Sequence, residues 1–275
     1  MVTFLYRKRL GCIFQKLLTR PALSRRVGRF LDSRKSRFLI PLFIRMNHLD
    51  LGDFLREDWP SFNAFFVRRL RPGARPMDRT PGHLIAPCDG LLTVYPISED
   101  AVFPVKGISY TAEDLLRSRR LPAAYAGGQC LLFRLTPSHY HRYCYPDAGR
   151  KSRNRVIPGI LHTVQPIAAE TCPIYRQNCR EYTVLRTENF GDLVFMEVGA
   201  MLVGRICNYE PGKSSFVRGQ EKGRFEFGGS TIILLLQAGT VEIRPEILRA
   251  SAQGREFPVR MGEAVGRRPG DKLDW

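Results

Sequence analysis

Apolar positions change their spacing about eighty residues into the chain. Upstream, Leu10, Ile13, Phe14, Leu17 and Leu18, then Phe38, Leu39, Leu42 and Phe43, recur at intervals of three and four among Lys and Arg. That spacing places them on one side of a helix and predicts amphipathic basic helices. Residues 61–70 keep the helical pattern. Pro60 precedes it, Phe62, Phe65 and Phe66 supply an aromatic side, and Arg71-Pro72-Gly73-Ala74-Arg75-Pro76 closes it. Downstream come short apolar runs at 91–95, 130–135, 159–164, 182–186, 193–198, 202–206, 231–237 and 241–243. Bounded by Gly, Pro and Asp, they have the length and content of strands. One helix interrupts them over 111–119, with Thr111 as its cap and Glu113 and Asp114 in its first turn. The expected fold class is α+β: a basic helical region over 1–60, then a mostly antiparallel β domain over 61–275.

Composition narrows the class without naming a chemistry. With 275 residues, 44% hydrophobic and 25% charged, the chain is globular and not disordered, collagenous or a disulfide scaffold. The net charge of +17 is concentrated at the start: residues 1–45 hold twelve basic side chains against Asp32 alone. Such a surplus draws polyanions, either an anionic membrane or nucleic acid. RNP-like and helix-turn-helix signatures are absent, so no nucleic-acid partner is expected. No run approaches the ~20 apolar residues of a spanning helix, and no signal peptide is recognisable. The expectation is peripheral attachment to the cytoplasmic face of the cell membrane. Seven scattered cysteines without a C-x-x-C pair indicate neither zinc nor a disulfide framework, and they suit a reducing compartment.

Three segments could carry chemistry. Ala86-Pro87-Cys88-Asp89-Gly90 is a turn leading into a strand, and a structural turn needs nothing more. Ser138-His139-Tyr140-His141-Arg142-Tyr143-Cys144 holds two of the five histidines, two residues apart among aromatics. No acidic or Cys partner stands at ligand spacing, so a single histidine acting as general base suits it better than a metal. Lys222-Gly223-Arg224-Phe225-Glu226-Phe227-Gly228-Gly229-Ser230-Thr231 puts two glycines before a serine. A serine hydroxyl there can attack the carbonyl of its own preceding peptide, and the glycines tolerate the distortion this needs. A glycine bend entering a buried strand is the plainer reading of the same residues.

Taken in order, these segments resemble the phosphatidylserine decarboxylases, pyruvoyl enzymes of phospholipid synthesis, and the Gly-Gly-Ser-Thr form looks like a bacterial branch of that family. The resemblance also takes in Phe62-Asn63-Ala64-Phe65-Phe66-Val67-Arg68-Arg69-Leu70, Arg180-Glu181-Tyr182, Asn189-Phe190-Gly191 and Met196-Glu197-Val198-Gly199-Ala200. It implies a self-processing proenzyme cut between Gly229 and Ser230 into a β chain, 1–229, and an α chain, 230–275. The two would remain a heterodimer, with room for a homodimer of it. Ser230 would become a pyruvoyl group, the sole cofactor, with no metal and no pyridoxal phosphate. That group would form a Schiff base with phosphatidylserine, release CO2 and yield phosphatidylethanolamine. Asp89, His141 and Ser230 are the implied catalytic residues. The family's second motif histidine is replaced here by Cys144, which leaves His141, His162 and Cys144 as alternative processing bases. Two other readings stand beside this one: a serine hydrolase using Asp89, His141 and Ser230, and a processing-impaired lipid-binding homologue.

Overall fold

The computed structural model describes residues 21–98, 102–105, 108–118, 121–158, 179–199, 205–228 and 230–271. The helical pattern over 10–18, the strand expected at 159–164, His162 and Gly229 lie outside the described residues. In chain order the elements begin with α1 (Pro21–Asp32), a 3-10 turn (Arg34–Phe38), α2 (Leu39–Met46) and α3 (Phe62–Phe66). Next come β1 (His83–Ile85), β2 (Gly90–Pro96), β3 (Val102–Val105), β4 (Ile108–Thr111), α4 (Ala112–Leu116) and β5 (Gln129–Leu135). Then follow β6 (Arg142–Cys144), β7 (Gly149–Lys151), β8 (Arg155–Ile157), β9 (Arg180–Thr187) and β10 (Asp192–Gly199). The remainder are β11 (Ile206–Asn208), β12 (Ser214–Phe216), β13 (Glu221–Phe225), β14 (Ser230–Leu236), β15 (Glu242–Ile243), α5 (Pro245–Ala252), β16 (Phe257–Val259) and β17 (Ala264–Arg267).

Alternation of apolar residues along the strands builds one antiparallel sheet in the order β12-β7-β9-β10-β14-β5-β2-β16, with β8 also paired to β9. Its middle strand, β14, is buried along its whole length because both faces are covered. One face, with Leu132, Met196 and Ile233, packs against Leu115 and Leu116 of α4. The other, with Phe133, Phe195, Ile232 and Leu234, packs against Tyr143, Phe225, Ile247 and Val265. The α+β, mostly antiparallel expectation holds. The helix expected over 111–119 ends at Leu116. Thr111 and Asp114 form a reciprocal capping box at its start, and Arg117, left-handed with φ +45°, stops it.

The N-terminal helices build a separate aromatic layer. Leu31, Phe62, Phe65 and Phe66 are buried in it, with Phe43, Trp59 and Phe227 packed alongside. Phe227 comes from the segment that leads to Ser230, and its ring lies 5.0 Å from that of Phe62 and 5.1 Å from that of Phe66. Asn63 completes the junction: it donates to Asp32 Oδ1 (2.8 Å) and accepts from the Phe227 amide (3.1 Å). The aromatic layer therefore joins residues from both sides of residue 60.

Candidate active site

Pairing register brings the chemical segments to one end of the central sheet. Ser230, the first residue of β14, is paired with Leu135 at the end of β5 on one side and with Gly199 at the end of β10 on the other. Across β5, Leu91 is paired with Arg134, so Gly90 and Asp89 arrive at that same end. At the usual strand spacing, the start of β2 and the start of β14 are about 10 Å apart. The chain leaving β5 forms the turn that carries His139 and His141. β6 then pairs with β13, which precedes Ser230 by five residues.

Ser230 is fully buried, and its hydroxyl donates to the Gly228 carbonyl at 3.3 Å. Gly228 has φ +147°, a backbone conformation that side-chain-bearing residues rarely adopt, so the chain needs glycine just ahead of the serine. The serine begins a strand rather than standing on an exposed strand-to-helix elbow, which weighs against a conventional hydrolase nucleophile.

Asp89 is buried and held on one side by a guanidinium and on the other by an amide. Arg75 Nη2 meets Oδ2 at 2.7 Å and Arg75 Nε meets Oδ1 at 3.0 Å, while the Met261 amide donates to Oδ1 at 2.9 Å. Arg75 also reaches Asp53 at 2.7 Å. Nothing local announces this clamp, because Arg75 lies among the Arg, Pro and Gly residues that read only as a helix stop.

His141 is fully buried beneath the Phe66 ring, at 4.0 Å between centroids. Its Nδ1 donates to the His139 carbonyl at 2.9 Å, which leaves the lone pair on Nε2. That Nε2 is buried with no hydrogen-bond partner among the described residues. Burial, then the nearby Arg68 charge, lowers its pKa to about 3, so the imidazole is neutral at physiological pH. Its Nε2 lone pair is oriented and unoccupied by any described residue, although burial makes the ring a weaker base than a free imidazole. The structure brings Asp89 and His141 to the same end of the sheet without a hydrogen bond between them: the Asp89 oxygens are taken by Arg75 and the Met261 amide, and His141 Nδ1 by the His139 carbonyl.

Cys144 is fixed by its amide, which donates to the Pro87 carbonyl at 2.8 Å. Burial, then the Glu221 and Asp89 charges, pushes its thiol up, so it stays protonated and is a poor acceptor. Behind Ser230, on the same face of the sheet, Glu197 of β10 is buried in an ion pair with Lys222 of β13. Lys222 also donates to Asn208 Oδ1 at 2.6 Å, and its ammonium lies 4.9 Å from the centre of the Phe195 ring. These charges sit inside the sequence blocks that carry the resemblance, yet no local pattern in either block pairs them.

A cavity of about 440 Å³ opens beside this end of the sheet, bordered by Asp89, Arg75, His139, Tyr140 and Asp53 among others. No group of three or more His, Cys, Asp or Glu suited to a metal ion occurs among the described residues.

Comparison with known proteins accounts for the arrangement. The model of the phosphatidylserine decarboxylase family matches residues 62–267. A phosphatidylserine decarboxylase proenzyme 2 of Clostridium acetobutylicum is 39% identical over 96% of this chain and 90% of its own length. A phosphatidylserine decarboxylase proenzyme of Clostridium botulinum is 39% identical over 92% of this chain and 87% of its own. Another, from Chlamydia felis, is 38% identical over 98% and 92%. With the match running through both the Asp89 turn and the Gly-Gly-Ser junction, this chain belongs to the phosphatidylserine decarboxylase family.

Proposed function

We propose that Ser230 is the residue this decarboxylase converts into its own pyruvoyl group. The observation that carries the reading is the setting of Ser230: fully buried, first in the central strand, two residues after a glycine at φ +147°. The Ser230 Oγ would attack the Gly229 carbonyl carbon, forming a C–O bond as the C–N bond breaks, with its proton accepted by a base. Loss of the Ser230 Cα proton and cleavage of Cβ–O would free the Gly229 carboxylate. Water would then release ammonia and leave the ketone at residue 230. His141 Nε2 is the base we assign, because it is neutral, oriented and without a hydrogen-bond partner among the described residues. The Asp89–Arg75 clamp acts beside it by fixing the turn that enters β2.

The residues present fit the group. It would remain where Ser230 is now, held by β5 and β10, in a buried setting that keeps water from it. When formed, it supplies the electron sink that makes loss of the substrate carboxylate feasible. The cavity bordered by Asp89 would receive the headgroup, with Asp53 among the carboxylates facing its ammonium. Pairing of β14 on both edges would hold the α and β chains together as a heterodimer.

The acyl chains would approach from the N-terminal layer. Phe38, Leu42 and Met46, spaced four apart, are 66%, 53% and 70% exposed, while Phe43 of the same helix packs inward. Arg34, Lys35, Arg37 and Arg45 flank them in sequence, Arg37 paired with Asp58. An apolar ridge with basic flanks suits peripheral attachment to an anionic leaflet, which we assign to the cytoplasmic face.

Intact mass under denaturing conditions tests the central assignment. The expected result is two fragments, 1–229 and 230–275, the second with a blocked N-terminus that borohydride reduces. A single uncut chain with full decarboxylase activity would overturn it.

A further inference from the structure

The two histidines of the motif are held in opposite tautomers. His141 gives its Nδ1 proton to a carbonyl, whereas His139 Nδ1 receives the Thr136 amide at 2.9 Å. A backbone N–H can only donate, so His139 carries its lone pair on Nδ1 and, when neutral, its proton on Nε2. The His139 amide donates back to the Thr136 carbonyl at 3.0 Å, which ties main chain and ring to one residue. Burial lowers the proton affinity of this ring, with Asp89 and Glu256 opposing the shift and Arg134 and Arg75 adding to it. Among the described residues, the ring's hydrogen bonds run through Nδ1, to the Thr136 amide and hydroxyl. Nε2–H is left for a ligand. A ring fixed in this way is a donor and cannot serve as the processing base.

His139 borders the cavity that holds Asp89. The other lining groups are mostly acceptors, with Asp50, Asp53 and Glu263 suited to an ammonium, and the Arg75 charge is shared between Asp53 and Asp89. The remaining side-chain donors along the cavity are His139, His48, Tyr140 and the exposed Arg260, with the Ser138 hydroxyl already paired to Thr136. Of these, His139 stands on the turn backed by Arg68. Directly behind the turn, the buried Arg68 guanidinium donates to the Ser138 carbonyl at 3.3 Å and rests 4.2 Å over the Phe54 ring. Both Ser138 and Phe54 border the cavity, and Arg68 makes no contact with a carboxylate among the described residues. A buried positive charge behind a fixed N–H donor favours an anion in front of it.

We propose that His139 is a substrate-binding residue whose Nε2–H donates to an anionic oxygen of the phospholipid headgroup, either carboxylate or phosphate. This rests on the cavity receiving the headgroup, and the test separates the two. Decarboxylation is measured in detergent micelles for the full chain and for its His139→Ala and His139→Gln variants, with self-cleavage followed by mass. Loss of a hydrogen bond to a charged group should raise KM about tenfold in His139→Ala, with kcat within about threefold and cleavage complete. Gln, which offers an amide N–H at similar reach, should recover most of that loss. Nitrogen-15 NMR of the wild type should find Nδ1 unprotonated at neutral pH.

Inhibition by phosphatidylethanolamine identifies the oxygen. A parallel rise in its inhibition constant assigns the phosphate, and an unmoved constant assigns the carboxylate. If His139→Ala fails to accumulate, His139→Phe replaces it under the same criteria. An unchanged KM, a Gln variant no better than Ala, lost self-cleavage or a protonated Nδ1 would each overturn the inference. A wild type that cuts but does not decarboxylate would instead remove the headgroup assignment.

Discussion

The Ser230 end of the sheet and the outer face of α2 follow opposite packing rules. At the first, Ser230, His141, Glu197 and Lys222 are almost wholly withdrawn from solvent, and their polar atoms have fixed partners or, like His141 Nε2, none among the described residues. At the second, α2 has no fully buried residue, and large apolar side chains point outward. The contrast teaches where each kind of work can be done. Bond breaking needs groups whose geometry is determined by everything around them. Attachment to a soft surface needs area and charge, with little geometry.

The largest expected effect comes from breaking the first region at its centre. Ser230→Ala should abolish self-cleavage and decarboxylation together, read by mass and by CO2 release, while the uncut chain stays folded. Next, Lys222→Met leaves the Glu197 carboxylate buried without its cation. It should cost about 3–5 kcal/mol of stability in urea unfolding of the uncut Ser230→Ala chain, because an unpaired buried charge is far costlier than a missing surface one.

A smaller effect follows from His141. Its pKa is near 3 in the fold and 6.5 ordinarily, so between these values the unfolded chain binds a proton that the folded one refuses. The stability it contributes is complete above pH 6.5 and is lost as pH falls toward 3. From pH 7 to 5 the uncut chain should lose about 2 kcal/mol through this group, and the loss should be absent in His141→Gln. The smallest effect on stability belongs to the outer face. Leu42→Asp with Met46→Asp should leave the melting temperature within a few degrees yet reduce binding to anionic vesicles, measured by flotation at rising salt. A large loss of stability would show that α2 packs inward after all.

Legibility in the sequence follows the same division. The strands around Ser230 were readable because a buried strand must be continuously apolar, as in residues 231–236, and Thr111 and Asp114 gave the α4 start correctly. The Asp89, His141 and Ser230 segments stand out locally, but only the resemblance joins them in one site, and their arrival at one end of the sheet is a matter of register. What escaped were partners supplied by distant chain: Arg75 on Asp89, Asn63 on Phe227, and the Lys222–Glu197 pair. None leaves a local periodic trace, since each joins residues at least fourteen apart. The roles of the two histidines were equally hidden, because a tautomer is decided by which backbone atom meets the ring.

The place of β14 has a consequence for the life of the molecule. The strand that would begin the shorter chain lies between β10 and β5, in the interior of the sheet rather than at its rim. Before the cut, folding is a one-chain event whose outcome does not depend on concentration. Afterwards, unfolding would release two molecules, and recovery would require the shorter one to find and re-enter a gap in the middle of the other. Stability of the mature form would then rise with protein concentration, as for any obligate complex. The enzyme would be assembled once, while it is still a single chain, and thereafter its lifetime would be set by how slowly that central strand can leave.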